Sequence, residues 1–132
     1  MLTRRAALLI ALALSATPHA AQAQEPGLRK SYGTCMERSG GVTSAMQECI
    51  SAEHTHQDRR LNTAYQSAQT KLSQQRRNQL RDVQRKWIAY RDADCALRAD
   101  PGGGSASQMT ENSCVLDKTA QRAVELEALL SQ

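Results

Sequence analysis

The stretch QRKWIAYRDADC, residues 84–95, decides how this chain is organised. It contains the chain's only tryptophan, Trp87, with Gln84 three residues before it and Arg91 four residues after it. Residues at these spacings lie on one face of an α-helix, and no Gly or Pro interrupts residues 78–99. The sequence therefore predicts a helix over residues 78–99. One side of this helix carries Leu80, Val83, Gln84, Trp87, Ile88, Arg91 and Cys95.

Helical patterns flank this stretch on both sides. Upstream, the chain has no Gly or Pro from Ser44 to Ser73, which predicts a first helix there. Downstream, the run Pro101–Ser105 ends the second helix, and a third helix is predicted over residues 108–130. The apolar face of the first helix carries Met46, Ile50, Leu61, Ala64, Tyr65, Ala68 and Leu72. The apolar face of the third carries Leu116, Thr119, Ala120, Ala123, Leu126 and Leu130.

These patterns predict an all-α fold, a small three-helix bundle that runs up, down and up. Residues 24–42 hold several glycines and Pro26, so this segment is predicted to be an irregular N-terminal arm. The chain after residue 23 is poor in large apolar residues and has no Phe, so its core is expected to need covalent support.

Two polar and aromatic stripes are expected to meet between the first and second helices. If a short turn at residues 74–75 joins two antiparallel helices, Asp58 faces Arg91, and an ion pair between them is predicted. This seam has two interpretations. It is either a structural network that fixes helix register or a cleft that grips a ligand, and the structural interpretation is preferred. The seam consists of Asp58, Asn62, Tyr65, Gln84, Trp87 and Arg91.

The N-terminus has the pattern of a secretory signal peptide. Arg4 and Arg5 precede an apolar run over residues 6–16, and Ala21-Gln22-Ala23 is a typical cleavage site. The apolar run is shorter than the roughly 20 residues that a membrane-spanning helix needs. We therefore expect residues 1–23 to be removed, and residues 24–132 to form one domain that does not insert stably into a membrane.

Four cysteines follow the predicted signal, and in an oxidising compartment they are expected to form two disulfides. Cys95 lies near the end of the second helix and Cys114 near the start of the third, so these two are expected to pair. Cys35 then joins the arm to Cys49. The alternative, a four-cysteine zinc site, disagrees with the wide spacing of the residues.

The sequence contains no evident reactive constellation. His54 and His56 are two residues apart, so on a helix they point in different directions and cannot share a metal. Glu53 is interpreted as an exposed residue of the first helix. We therefore predict a protein that is not an enzyme, with no catalytic residues, no metal site and no cofactor.

The net charge of +4 does not by itself exclude any class of binding partner. A basic cluster near the start of the second helix is interpreted as a solvated helix face. Nucleic acid is not an expected partner, because export is predicted and aromatic residues for stacking are scarce. The cluster consists of Arg76, Arg77, Arg81, Arg85 and Lys86.

The combined motifs resemble the LprI-like family of small secreted four-cysteine bacterial proteins, described as lysozyme inhibitors. The resemblance covers the chain from Cys35 to about Leu126. It rests on the cysteines, DxxLNxxY at residues 58–65, QxxWIxYRDxxC at residues 84–95, the glycine run, and TxxR at residues 119–122. It implies a periplasmic or secreted protein that binds and blocks a lysozyme.

The candidate contact with such a partner is the loop predicted over Pro101–Met109, because loops on a rigid scaffold often carry binding. Its acidic border and glycines comprise Asp92, Asp94, Asp100, Gly102, Gly103, Gly104 and Ser105. The alternative function is that of a noncatalytic interaction module of the cell envelope with a different protein partner.

Overall fold

The computed structural model describes residues 27–131, and the regular structure in that range is entirely helical. It consists of α1 (Lys30–Arg38), α2 (Thr43–Lys71), α3 (Gln74–Arg98) and α4 (Gly104–Leu130). The all-α prediction is therefore confirmed, but the count of three helices is wrong. None of the helices in the described range is long and apolar enough to cross a membrane. The predicted signal peptide lies outside the described residues.

The additional helix, α1, lies in the segment that was predicted to be irregular. Gly33 is one of the glycines on which the prediction of an irregular arm rests, but it lies inside α1, where a Cβ would meet no neighbouring element within 4 Å. Glycine lowers helix propensity by only about 1 kcal/mol. The link to α2 through Cys35 and Cys49 supplies tertiary support that propensity does not include. The helix stops before Gly40 and Gly41, whose φ values of 57° and 82° are positive.

The core lies mainly between α2 and α4, which run parallel to each other. Asn112 Nδ2 donates to Gln47 Oε1 at 3.0 Å, and Arg60 Nε donates to Glu127 Oε1 at 2.6 Å. These pairs are separated by 65 and 67 residues, so both helices advance in the same direction with a nearly constant offset. Four alanines at the seam permit close approach. The buried residues of this seam include Ile50, Leu61, Ala64, Ala68, Leu116, Ala120, Ala123 and Leu126.

Helix α3 returns antiparallel along α4 and has few contacts with α2. Ser73 Oγ accepts a hydrogen bond from the backbone N–H of Arg76, so α3 begins at Gln74, before the predicted start. In the described range, the hydrogen bonds that join α2 to α3 connect Gln69 and Arg77, beside the turn. Beyond the turn the two helices separate, because the apolar face of α2 packs on α4.

This arrangement makes the predicted register between α2 and α3 wrong. Asp58 accepts a hydrogen bond from Asn62 of its own helix at 3.0 Å instead of pairing with Arg91. Arg91 forms an ion pair with Asp92 and donates to Thr119 of α4. The prediction assumed that helices joined by a short turn share their apolar faces, whereas α4 provides the wider apolar stripe.

Both predicted disulfides are confirmed. Cys35–Cys49 joins α1 to α2 with a Cα–Cα distance of 5.8 Å, and Cys95–Cys114 joins the end of α3 to α4 with a Cα–Cα distance of 5.5 Å. A disulfide restricts the unfolded chain and typically contributes about 2–4 kcal/mol. The two bonds therefore support a core that is small for its length.

A buried polar network holds the segment before α1 against α2. Glu53 is 1% exposed, and it accepts hydrogen bonds from the backbone N–H of Arg29 at 3.0 Å and from Arg29 Nε at 2.8 Å. Gln57 is also fully buried, and its amide nitrogen donates to Glu53 and to the Gly27 carbonyl, each at 2.7 Å. Arg60 extends the network by donating to Gly27 and to Glu127 of α4.

The interpretation of Glu53 as an exposed helix residue was therefore wrong. Burial alone raises the pKa of Glu53, but the hydrogen bonds from Gln57 and Arg29, with the charge of Arg29, outweigh it and lower the pKa. No local pattern indicates this network, because Gly27 and Arg29 are distant from Glu53 in sequence and share no helical periodicity with it.

Replacing Leu126 should test the α2–α4 core. Leu126 is fully buried, so Leu126→Ala should lower the free energy of unfolding by about 2–5 kcal/mol through lost burial and a cavity. Urea denaturation followed by circular dichroism measures this change. The matched control is Leu97→Ala, because Leu97 is 83% exposed and its removal should change stability by less than about 0.5 kcal/mol. Equal effects of the two substitutions would contradict the assigned core.

The network at Glu53 should make stability depend on pH. Because its pKa is lower in the folded protein, Glu53 stabilises the fold above its unfolded pKa, and this contribution is lost as pH falls through the folded pKa. Glu53→Gln should therefore cost about 1–3 kcal/mol at pH 7, and the difference from the parent protein should shrink at acidic pH. Denaturant titrations across the pH range measure both. Glu48→Gln, on an exposed position of α2, should behave like the parent.

Candidate functional site

The polar face of α3 meets α4 around the single tryptophan. The guanidinium carbons of Arg91 and Arg122 lie 5.2 Å and 5.9 Å from the centre of the Trp87 ring. Arg122 Nε donates to Gln84 Oε1 at 3.1 Å, and Arg91 donates to Thr119 Oγ1 at 3.3 Å. Three predicted seam residues of α3 therefore come together, but their partners belong to α4.

The polar groups of this seam form hydrogen bonds and ion pairs with one another or with neighbouring residues of α4. Thr119 is buried, and its hydroxyl also donates to the Val115 carbonyl at 2.7 Å. Arg122 pairs with Glu125 at 2.7 Å in addition to its contact with Gln84. A cation over an indole ring contributes about 0.5–2 kcal/mol, depending on its desolvation. These contacts favour the structural interpretation, in which the seam fixes α3 on α4.

The polar seam residues of α2, Asp58 and Asn62, share no hydrogen bond or ion pair with this cluster within the described range. Asn62 is exposed and hydrogen-bonds to Asp58 along the surface of α2. Tyr65 packs against the hydrophobic core that includes Leu61 and Leu126. Trp87 packs against the same core, so the two aromatic residues share it while the polar members form two separate groups. The polar contacts predicted between α2 and α3 are replaced by the α3–α4 seam.

At the far end of α3, two of the three predicted acidic residues are engaged in ion pairs. Asp94 pairs with Arg98 at 2.9 Å and with Lys118 at 3.1 Å, and Asp92 pairs with Arg91 at 2.8 Å. Hydrogen bonds from Arg98 and Lys118 lower the pKa of Asp94. Its hydrogen bond to Lys118 in turn raises the pKa of that ammonium group. The pair with Lys118 joins α3 to α4, whereas the pairs with Arg91 and Arg98 lie within α3. These ion pairs leave both carboxylates less available to a partner.

The connection between α3 and α4 is a tight turn rather than the long loop that was predicted. Asp100 Oδ1 accepts from the N–H of Gly102 at 3.0 Å, and the Asp100 carbonyl accepts from the N–H of Gly103 at 2.9 Å. A Cβ on Gly103 would lie 2.8 Å from Ser107 Cβ, so glycine is needed there for close approach. Gly104 begins α4, which places Ser105 and the remainder of the predicted loop in the first turns of that helix. The loop prediction was too long because its residues carry no apolar periodicity.

This turn and the start of α4 form a corner, defined here by the exposed residues Asp100, Pro101 and Gly102 and by the half-buried Glu111. A shallow depression of about 460 Å³ opens there. Two carboxylates, those of Asp100 and Glu111, line it, and no basic residue does. Sequence reasoning missed Glu111, because the residue lies beyond the glycine run and no pairing pattern marks it. The lining consists of Ala96, Ala99, Asp100, Pro101, Gly104, Ser107, Gln108 and Glu111.

Within residues 27–131, one group of potential metal ligands lies where the end of α3 is joined to α4. An oxygen of Asp94 and the sulfurs of Cys95 and Cys114 lie within 4.8 Å of one another. The two sulfurs are bonded to each other in a disulfide, however, so neither is a thiolate that can ligate a metal. This group therefore supports the corner mechanically and does not form a metal site.

Comparisons with known proteins agree with the motifs that the structure brings together. The family model described as "Lysozyme inhibitor LprI" matches residues 35–126, which include all four cysteines and both sides of the α3–α4 seam. An uncharacterized protein of Rhizobium meliloti (strain 1021), R02472, is 38% identical over 52 residues, a match that covers 39% of this chain and 37% of that protein. No solved structure matches this chain. On the strength of the family match and the two disulfides, the chain belongs to the LprI lysozyme inhibitor family.

Proposed function

We propose that this protein is a noncatalytic binding protein of the bacterial envelope that inhibits a lysozyme through the corner between α3 and α4. The family match carries the proposal, since the family is described by lysozyme inhibition. The corner is the proposed contact because its backbone is exposed and its charge is locally acidic.

Rigidity makes this corner suited to inhibition. Cys95–Cys114 joins the two helices just below the turn, and the hydrogen bonds of Asp100 close the turn itself. A contact that is already ordered before binding loses little conformational entropy when the complex forms. A surface of this kind blocks a glycosidase when it covers the mouth of the cleft that holds the two catalytic carboxylic groups.

The local charge of the corner favours a basic partner. Without Arg4 and Arg5, residues 24–132 carry 15 Lys and Arg against 13 Asp and Glu, and this net charge of +2 weakly repels a basic lysozyme at long range. Asp100 and Glu111 nevertheless give the depression a negative lining with no basic residue in it. Complementary charge at the contact itself increases the association rate and selects the orientation of the partner.

The proposed location is the periplasm or the cell exterior. The two disulfides are stable in an oxidising compartment, and residues 1–23 have the composition of a signal peptide. The domain that acts there is proposed to be residues 24–132. A different envelope protein as partner remains the alternative that the inhibition experiment distinguishes.

The inhibition experiment adds the secreted protein to a lysozyme and follows the turbidity of a suspension of bacterial cell walls as the lysozyme digests them. The parent protein should slow the loss of turbidity, and the double substitution Asp100→Lys with Glu111→Lys should weaken inhibition by roughly tenfold or more, since it reverses both carboxylates of the depression. Asp82→Lys is the matched control, because Asp82 is an exposed α3 carboxylate with only a local partner, Arg85.

Unchanged inhibition by the double variant would exclude the corner as the contact. If the parent leaves basic and acidic lysozymes of several types fully active at large molar excess, the inhibitor function itself is wrong, and the envelope-interaction alternative replaces it.

Export should remove the predicted signal at one position. When the full chain is produced in a bacterium, the exported protein should begin at Gln24, which intact mass and N-terminal sequencing determine. Ala23→Arg should leave an unprocessed precursor, because the cleavage site requires a small residue at that position. A mature protein that still carries the apolar run over residues 6–16 would contradict the proposed location.

A further inference from the structure

The opposite end of the bundle contains an apolar groove that the proposed inhibitory contact does not use. It lies where the end of α2, the first turns of α3 and the end of α4 meet, and its volume is about 690 Å³. This volume is within the range of roughly 300–1,000 Å³ that is typical of small-molecule sites. The apolar lining consists of Ala68, Leu72, Leu80, Val83, Leu129 and Leu130.

The apolar side chains of the groove are incompletely covered. Leu80 belongs to the buried core, and Leu72 and Leu130 pack against that core. Val83 and Leu129, however, are 51% and 50% exposed. Single exposed apolar residues are ordinary, but here several lie around one concavity, where a ligand tail can cover them together.

The mouth of the groove is positively charged. Lys71, Arg76 and Arg122 line it, and no carboxylate does. The charge of Arg122 is compensated by Glu125. Lys71 and Arg76 form no ion pair within residues 27–131. The groove therefore combines an apolar floor with two uncompensated cations at its edge.

The position of Arg76 strengthens the positive potential. The first turn of α3 has no acidic residue, and it carries Arg76 and Arg77. The N-terminus of a helix is the positive end of its dipole, so cations there are unfavourable and anions are stabilised. Arg76 and Arg77 therefore destabilise the N-terminus of α3, because they are repelled by the positive end of its dipole. An anion at the groove mouth would reduce this repulsion.

We propose that this groove binds a single-chain anionic amphiphile, a long-chain fatty-acid anion, whose tail covers Val83 and Leu129 and whose carboxylate lies between Lys71 and Arg76. The site is independent of lysozyme binding. About 20 residues of α3 separate Leu80 from the corner, which corresponds to roughly 30 Å along the helix.

The single tryptophan provides a direct readout of the site. Trp87 lies one helical turn after Val83, and its ring contacts Arg122, which lines the groove. Dodecanoate added below its micelle concentration should therefore cause a saturable change in tryptophan fluorescence. Dodecyltrimethylammonium, with the same tail and a positive head group, should bind roughly tenfold more weakly.

Two variants separate the tail from the head group. Leu129→Asp should abolish binding of dodecanoate, since it puts a carboxylate into the apolar floor. The double substitution Lys71→Glu with Arg76→Glu should lower the affinity for dodecanoate roughly tenfold and should leave the affinity for dodecyltrimethylammonium undiminished. Loss of fold cannot explain the second result, because an unfolded variant would lose its affinity for dodecyltrimethylammonium as well. Leu97→Asp is the control, as Leu97 is 83% exposed and does not line the groove.

Several outcomes would overturn the proposal. These are the absence of saturable binding, equal affinity for the two amphiphiles, or unchanged affinity in Leu129→Asp. Binding to anionic vesicles without binding to monomeric dodecanoate would instead assign the face to a membrane surface. A dimer in sedimentation experiments that Leu129→Asp dissociates and dodecanoate does not would assign it to a second copy of the chain.

Discussion

The parallel packing of α2 against α4 is the constraint on which the rest of the molecule depends. Because α2 and α4 run in the same direction, the chain between them must return over a similar length, and α3 is that return segment. A two-residue link joins α3 to α2, and a turn joins it to α4. Because the apolar faces of α2 and α4 are directed toward each other, α3 packs mainly on α4. The same packing places the α3–α4 corner and the groove at opposite ends.

The sequence predicts the elements whose evidence is local. The stripe from Leu116 to Leu130 lies on α4 as its spacing indicated, and the placement of Cys95 and Cys114 beside one chain reversal was sufficient to pair them. Helix α1 escaped prediction because its stability is tertiary. Its glycine content suggested a loop, whereas the link from Cys35 to α2 supports a helix.

Local sequence patterns could not predict which of two neighbouring helices a given helix face packs against. The polar stripe of Gln84, Trp87 and Arg91 was identified correctly, but α2 and α4 both offered polar partners. The shorter connection favoured α2, and the distribution of apolar surface selected α4. Glu53 shows the same limit, since its partners come from a segment without periodicity. For the candidate site, the exposed turn was predictable, but the contribution of Glu111 depends on where α4 begins.

The one-sided attachment of α3 has a consequence for the dynamics of the protein. Three of its 25 residues are buried, and its polar face is held by a few side-chain contacts to α4. Regions with little buried apolar surface open locally at a lower free energy than the global unfolding of the chain. We therefore expect α3 to detach as a unit while α2 and α4 remain paired, with Cys95–Cys114 acting as a covalent hinge. The disulfide then limits how far α3 can travel, so that after each opening the helix returns to the same place on α4.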